Sequence, residues 1–234
     1  MNFNTLQRDV LEKFKILPIK PNRFRKHIQE TYFSTRIGIA IIGILFPLIL
    51  WLIGKTLEIE LQSSISAYYH TSMRDVFVGC LFAIGASLYL YKGYSTVEDF
   101  VLDTAGICAI GVALLPTSCP DELKCDTFTA PFWHGVSAIA FFLLIAYICI
   151  FRWSDTLDNK EIDRKHQISE SRKKAYILIY RILGAGMVIL PLLVWLLYRD
   201  TGILIFKLEL AAVWVFSTYW TVKTIEINES QLEK

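Results

Sequence analysis

Six apolar stretches alternate with polar segments along the chain, and their lengths predict membrane-spanning helices. A helix needs roughly 20 apolar residues to cross a hydrocarbon core of about 30 Å. The stretches cover residues 37–54, 76–91, 101–115, 132–151, 176–198 and 203–222. The second and third are short, so we expect their helices to extend into polar flanks at Asp75 and Asp99. The pattern predicts an all-α, polytopic membrane bundle with six transmembrane helices.

Lysine and arginine collect on one side of this predicted bundle, which sets its orientation. The residues before the first stretch and the loop over 152–175 hold most of them. The segments on the other side hold only Lys55, Arg74, Lys124 and Arg199. Cytoplasmic loops of membrane proteins carry the excess of lysine and arginine. Both termini are therefore predicted to lie in the cytoplasm.

These boundaries divide the chain into three parts. Residues 1–35 are predicted to form a basic cytoplasmic arm, 36–223 the transmembrane domain, and 224–234 a cytoplasmic tail. Apolar residues recur at helical spacing over 3–14, with charged residues between them. This pattern is typical of an amphipathic helix lying on the inner leaflet. A docking element for a cytoplasmic protein partner is the alternative, and the residues do not separate the two.

Composition supports a membrane location and argues against nucleic acid as a partner. Hydrophobic residues make up 54% of the chain and the mean hydropathy is +0.43, which is apolar for a soluble protein. The net charge of +2 is too small to favour nucleic-acid binding. We therefore expect the lipid bilayer as a partner and a bacterial inner membrane as the location.

Two cysteines lie together in a loop that the charge pattern places outside the cell. Cys119 and Cys125 fall between the third and fourth apolar stretches, whereas the other three cysteines fall within stretches. An oxidising exterior favours a disulfide between this pair. A metal-binding pair is the alternative, and the wide spacing without a histidine between the two cysteines disfavours it. Sequence spacing does not give the distance that a disulfide requires.

Small residues recur at four-residue spacing in two of the predicted helices. Ala105, Ala109 and Ala113 form one such stripe, and Gly79 and Ala83 form another. Small side chains allow helix backbones to approach closely in lipid. We expect both stripes to mark helix–helix contacts.

Ionisable residues at membrane depth mark candidate functional sites, because a charge at a helix centre costs roughly 2.5–3.5 kcal/mol. Glu209 lies seven residues beyond Gly202, about 10 Å into the sixth predicted helix. Lys207 is two residues away and therefore faces nearly the opposite side of that helix. Glu209 is expected to bind a ligand or to make a structural hydrogen bond between helices.

Further polar residues gather at the same predicted outer level. His134 opens the fourth stretch, and Ser66, His70 and Asp75 precede or open the second. On an α-helix Ser66 and His70 would lie one turn apart on one face. His70, His134 and Glu209 are of the types that ligate zinc, with Asp75 as a ligand or base and Ser66 as a polarising hydroxyl. Each residue taken singly is more often a cap or a solvated side chain.

The run Ser66-Ala-Tyr-Tyr-His70 resembles the Ser-x-x-x-His element of the superfamily that joins alkaline ceramidases with the progestin and adipoQ receptors. The whole chain also resembles uncharacterised bacterial multi-helix membrane proteins. In the superfamily, that serine and histidine, a later aspartate and a His-x-x-x-His pair in the last helix form a zinc amidohydrolase site. The resemblance implies matching roles for Ser66, His70 and Asp75. The last predicted helix of this chain offers Glu209 in place of the histidine pair.

Three functions are consistent with these residues. The first is a zinc-dependent hydrolase that acts on a lipid or amphipathic substrate at the outer leaflet, and the residues favour it slightly. The second is a homo-oligomeric channel or effector, with Glu209 and Lys207 lining a pore and the cytoplasmic arm and loop receiving a signal. The third is a binder or transporter of a small molecule or lipid that uses the same pocket without catalysis.

Overall fold

Helices account for the regular structure in the computed structural model, which describes residues 21–120, 128–153 and 169–229. In chain order the α-helices are α1 (Pro21–Thr56), α2 (Arg74–Leu90), α3 (Thr96–Leu114), α4 (Pro131–Phe151), α5 (Glu170–Tyr198) and α6 (Leu204–Glu229). A short 3-10 helix over Ser66–His70 precedes α2. The prediction of an all-helical fold is confirmed for the part of the chain that is described.

The first and last helices are longer than the apolar stretches that predict them. Helix α1 begins at Pro21 and therefore includes the second half of the predicted arm. Helix α6 continues to Glu229, so the start of the predicted tail is helical. Residues 1–20 and 230–234 lie outside the described residues, and the predicted amphipathic arm helix lies there with them. Both helices continue past the apolar stretches, because charged residues also form the backbone hydrogen bonds of an α-helix.

Length and surface composition identify a membrane protein. Within the described residues, three helices are long and apolar enough to cross a membrane, namely Glu30–Thr56 inside α1, Pro131–Phe151 and Glu170–Tyr198. Their outward faces carry large apolar side chains, and Leu143 and Leu197 are 65% and 74% exposed. An apolar surface of this extent is stable where lipid covers it.

The six helices form a closed ring around an apolar interior. Each helix packs on the next one along the chain, and α6 packs back on α1 to close the ring. Helix α4 also touches α6 across the interior. Two clusters of buried apolar side chains fill the ring, one around Tyr180, Tyr219 and Trp220 and the other around Tyr68 and Phe77.

Contacts at one end of the ring show that neighbouring helices run antiparallel. The rings of Tyr32 in α1 and Tyr91 at the end of α2 lie 6.2 Å apart. Arg152 Nη2 at the end of α4 donates a hydrogen bond of 2.7 Å to Ser95 Oγ at the start of α3. We call this the terminal end, because α1 enters the ring there and α6 ends there.

Contacts at the opposite end, which we call the far end, complete this arrangement. The amide nitrogen of Phe206 at the start of α6 donates to the carbonyl oxygen of Ser63, before α2, at 2.9 Å. His134 at the start of α4 bonds to the carbonyl oxygen of Leu115 after α3. Each helix therefore runs from one end of the ring to the other, in alternating directions.

Helices α2 and α3 approach most closely where two glycines meet. A Cβ atom added to Gly106 would lie 2.5 Å from the carbonyl oxygen of Gly85, and one added to Gly85 would lie 2.8 Å from that of Gly106. The alanine stripe of α3 is 0–1% exposed, which confirms its predicted packing role. The glycine stripe prediction for α2 is wrong at Gly79, because a Cβ atom there would meet open space.

Gly106→Ala is expected to lower the free energy of unfolding by about 1–3 kcal/mol, because the methyl group would push against backbone that cannot yield cheaply. Gly79→Ala is the matched control and is expected to change it by less than about 0.5 kcal/mol. Reversible unfolding in mixed detergent micelles measures both values. Equal effects of the two substitutions would contradict the close crossing at Gly85 and Gly106.

Candidate functional site

The segment between α1 and α2 folds back over the far end through a helix-ending turn. Glu58 adopts a left-handed backbone conformation with φ of 59°. The amide of Ile59 donates to the carbonyl oxygen of Gly54 at 2.9 Å, and that of Glu58 donates to Lys55 at 3.2 Å. This pair of bonds is a Schellman motif, which satisfies the last carbonyl groups of the helix. The chain is thereby directed across the ring towards α6.

The segment then forms the 3-10 helix, which is buried. Tyr68 is 0% exposed, and its ring lies 6.4 Å from that of Phe206 in α6. Burial raises the pKa of the Tyr68 phenol, so the side chain stays neutral. A 3-10 helix has three residues per turn, so residues four apart lie about 120° apart around it. Ser66 and His70 therefore point in different directions, in contrast to the shared face predicted for an α-helix.

Glu209 of α6 holds the start of this 3-10 helix. The amide nitrogen of Ile65 donates to Glu209 Oε2 at 2.6 Å, and Ser66 Oγ donates to Glu209 Oε1 at 3.4 Å. The Ser66 amide also hydrogen-bonds to the carboxylate. The first amides of a helix have no partner within it. A carboxylate from another helix satisfies them here and thereby attaches the segment before α2 to α6.

Glu209 and Ser66 also line a small cavity inside the ring. The cavity has a volume of about 40 Å³, and its other walls are apolar. Four phenylalanine rings contribute to it: Phe46, Phe77, Phe141 and Phe142. A cavity needs about 10–15 Å³ to hold one water molecule. This space admits water or a small ion, and it is too small for a lipid headgroup or acyl chain.

The carboxylate of Glu209 has no cationic partner in the described part of the chain. The ion pairs found there involve other residues. Lys207 faces away from the cavity, and its ammonium nitrogen lies 5.9 Å from the ring centroids of both Tyr198 and Phe206. The two predicted pore residues thus lie in different environments.

His70 and His134 both hold the segment that follows α3. His134 is 6% exposed, and its Nδ1 lies 2.7 Å from the carbonyl oxygen of Leu115. His70 Nε2 lies 2.9 Å from the carbonyl oxygen of Thr117. A carbonyl oxygen only accepts, so both ring nitrogens must donate. The last carbonyl groups of a helix lack partners within it, and these histidines supply donors at and just beyond the end of α3.

The predicted zinc ligands therefore divide between two places. Ser66 and Glu209 meet at the cavity, whereas His70 and His134 bind the 115–117 segment. Asp75 is exposed in the first turn of α2, where a carboxylate interacts favourably with the helix dipole. The described residues contain no group of three or more histidine, cysteine, aspartate or glutamate side chains placed to hold a metal ion. They do not fit a three-ligand zinc centre, so we derive no step through zinc, and zinc binding stays a prediction.

The predicted disulfide also stays a prediction. Cys125 lies outside the described residues, so the described part of the chain does not test this pairing. Cys80, Cys108 and Cys149 lie in α2, α3 and α4 as free thiols.

A second polar cluster lies at the terminal end, at the boundary between the predicted transmembrane domain and the predicted tail. Lys223 and Glu226 of α6 are 4% and 0% exposed, and their charged atoms lie 3.1 Å apart. Tyr180 of α5 donates its hydroxyl to Glu226 at 2.6 Å. Lys223 Nζ also donates to the carbonyl oxygen of Trp153, beyond α4, at 2.9 Å. This cluster joins three helices through one ion pair.

Two further buried charges lie in the same half of the ring. Arg36 is 1% exposed and Glu98 is 3% exposed. Glu98 Oε2 accepts from the amide of Tyr94 at 2.8 Å, and the Glu98 amide donates to Ser95 Oγ at 3.2 Å. The Ser-x-x-Glu spacing of 95–98 is the sequence signature of a capping box, and it identifies the start of α3.

The spacing of the buried residues along α6 indicates that Lys223 lies on the same buried face. Tyr219 and Trp220 lie four and three residues before Lys223, Ile227 lies four residues after it, and all three are buried. This is the period of one helix face, and Lys223 continues it. The sequence interpretation did not consider Lys223, which directly follows the last predicted apolar stretch.

Lys223→Met is expected to lower the free energy of unfolding by about 3–5 kcal/mol, because it leaves the Glu226 carboxylate buried without its ion-pair partner. Arg172→Met is the matched control, because Arg172 forms an exposed ion pair with Glu229 at 3.1 Å. Its removal is expected to cost less than about 1 kcal/mol. Unfolding in mixed detergent micelles measures both. A loss at Lys223 no larger than that at Arg172 would contradict a structural ion pair in the interior.

Comparison with known proteins gives no relative from which to assign the site. The chain matches no family model, no curated protein and no solved structure. The resemblance carried by Ser66 and His70 therefore stays a prediction.

Proposed function

We propose that the protein is a six-span protein of a bacterial inner membrane with both termini in the cytoplasm. We further propose that its Glu209 cavity binds a small cation without catalysis, as part of a binding or transport function. The observation that carries this proposal is a part-buried carboxylate that faces a small, mainly apolar cavity. No cationic side chain in the described part of the chain forms an ion pair with it.

Antiparallel packing supports six crossings, although in the described part of the chain three helices are long and apolar enough by themselves to cross a membrane. Helices α2 and α3 are connected to each other at the terminal end. At the far end α2 is connected to α1 and α3 is connected to α4, and both α1 and α4 are long and apolar enough to span a membrane. Helix α6 touches α5 at the terminal end through Arg172 and Glu229, and it touches Ser63 at the far end. At 1.5 Å per residue, the 17 residues of α2 extend about 26 Å, close to the thickness of the hydrocarbon core.

Charge placement supports the orientation. Arg152 lies just after α4, and Arg172, Lys173 and Lys174 lie in the first turns of α5, so all four are at or near the terminal end. The excess of lysine and arginine marks the cytoplasmic side. The far end, with Glu209 and its cavity, then lies towards the outer leaflet.

The carboxylate retains capacity for a ligand. An ionised carboxylate offers about four lone-pair sites, and the amides of Ile65 and Ser66 and the Ser66 hydroxyl occupy three of them. The phenylalanine rings of the cavity offer negative faces, which attract cations. A buried carboxylate is stabilised by a bound cation or by a proton. A proton and a metal cation are both small cations, and either one would exchange at the Glu209 carboxylate.

The other predicted functions have less support from this arrangement. A zinc hydrolase needs three ligands at one point, whereas His70 and His134 lie at the 115–117 segment and Glu209 lies at the cavity. An oligomeric pore needs Glu209 or Lys207 at an axis between chains, whereas Glu209 faces the interior of its own ring. Both functions stay predictions.

We expect one alkali cation to stabilise the protein against unfolding, relative to choline at the same ionic strength. A ligand at a hundred times its Kd adds about 2.7 kcal/mol to the stability of the form it binds. Glu209→Gln should abolish this gain, because the amide still accepts hydrogen bonds but carries no charge. Glu229→Gln is the matched control, since Glu229 lies at the terminal end, and it should keep the gain. Thermal unfolding in detergent with sodium, potassium or choline chloride measures the effect.

Two results would overturn cation binding at Glu209. One is equal stability in all three salts at both acidic and mildly alkaline pH. The other is the same stabilisation in Glu209→Gln as in the unaltered protein. Metal content of protein purified without chelator tests the hydrolase prediction separately. Near-stoichiometric zinc that is lost in His70→Ala and in Glu209→Gln would favour the hydrolase.

A further inference from the structure

An open groove runs between α5 and α6, separate from the Glu209 cavity. Its volume is about 490 Å³, which is within the usual range of about 300–1,000 Å³ for ligand pockets. Most of its lining is apolar: Leu183, Leu190, Val194, Leu210, Trp214 and Val215. Helix α5 forms one side of the groove. Of the three helices described as long and apolar enough to cross a membrane, α5 has the smallest share of its apolar stretch buried. Lipid chains are the surroundings that such a surface meets in a bilayer.

The length of the groove matches one leaflet. On α6 its lining extends from Lys207 to Thr218, which is eleven residues or about 16 Å along the helix axis. Half of a hydrocarbon core of about 30 Å is about 15 Å. An acyl chain with its headgroup beside Lys207 can therefore lie in the groove over about the thickness of one leaflet.

The far end of the groove carries an unpaired cation. Lys207 Nζ lies 5.9 Å from the ring centroids of Tyr198 and Phe206. No carboxylate among the described residues lies within ion-pair distance of it. A lysine side chain near the start of a helix is long enough to reach the headgroup region, and its ammonium group with aromatic neighbours is suited to bind a phosphate group from the leaflet.

We propose that this groove binds one phospholipid with an anionic headgroup. The acyl chain lies along the apolar lining between α5 and α6, and the headgroup phosphate accepts from Lys207. The charge of the single lysine selects an anionic headgroup over a zwitterionic one of the same chain length. This site rests on the proposed six-span topology and is independent of cation binding at Glu209.

Native mass spectrometry of the detergent-purified protein with added lipid tests the proposal. We expect phosphatidylglycerol to be retained more strongly than phosphatidylcholine of the same chains. Lys207→Gln should weaken retention of phosphatidylglycerol about fivefold, the effect of one cation at a charged headgroup, while Lys207→Arg keeps it. Lys55→Gln is the matched control, because Lys55 is an exposed cation at the far end outside the groove, and it should bind like the unaltered protein.

A groove-filling variant tests the position of the acyl chain. Ala211 lies in the lining, so Ala211→Trp should reduce retention of both lipids. The proposal is overturned if the unaltered protein retains both lipids equally. It is also overturned if Lys207→Gln and Ala211→Trp retain phosphatidylglycerol as the unaltered protein does. A loss in Lys55→Gln equal to that in Lys207→Gln would show general charge attraction and would likewise overturn the site.

Discussion

Helix α6 must close the ring while it carries three ionisable side chains into an apolar environment, and the rest of the structure follows from how they are satisfied. Glu209 accepts from the segment before α2, and Lys223 and Glu226 pair with each other and with groups on α4 and α5. Unsatisfied polar groups cost several kcal/mol in lipid, so these bonds decide where α6 can lie. Helix α6 thereby holds its neighbouring segments in place at both the far end and the terminal end.

Polar side chains form hydrogen bonds at both ends of the ring, but their partners differ between the two ends. At the far end, side chains from α4, α6 and the 3-10 helix satisfy backbone groups of the connecting segments, which keeps these segments folded over the ring. At the terminal end, side chains satisfy one another in the interior. Glu209 differs from the other far-end residues, because it holds backbone amides and also borders a cavity. It can therefore link occupancy of the cavity to the position of the segment before α2.

The apolar pattern predicts the helices well, because burial and lipid contact both require long apolar runs. The apolar pattern does not predict which charged or polar residues are buried or which groups they bind. Lys223 and Glu226 resemble solvated residues near a chain end, and only their partners on other helices show that they are buried. His70 and His134 resemble metal ligands, since the carbonyl groups that they bind come from a segment distant in sequence. Gly85 and Gly106 meet because of a crossing angle that sequence spacing does not specify.

The measurement that tests this account most directly is the sidedness of α6, the helix whose charges keep it below the usual hydropathy of a span. Single cysteines at Thr201 and Asn228, which are exposed at its two ends, can be labelled with a membrane-impermeant thiol reagent in intact cells. The five native cysteines are first replaced by serine or alanine. The six-span arrangement predicts labelling of Thr201→Cys from outside, and labelling of Asn228→Cys only after the membrane is opened. Labelling of both from the same side would contradict it.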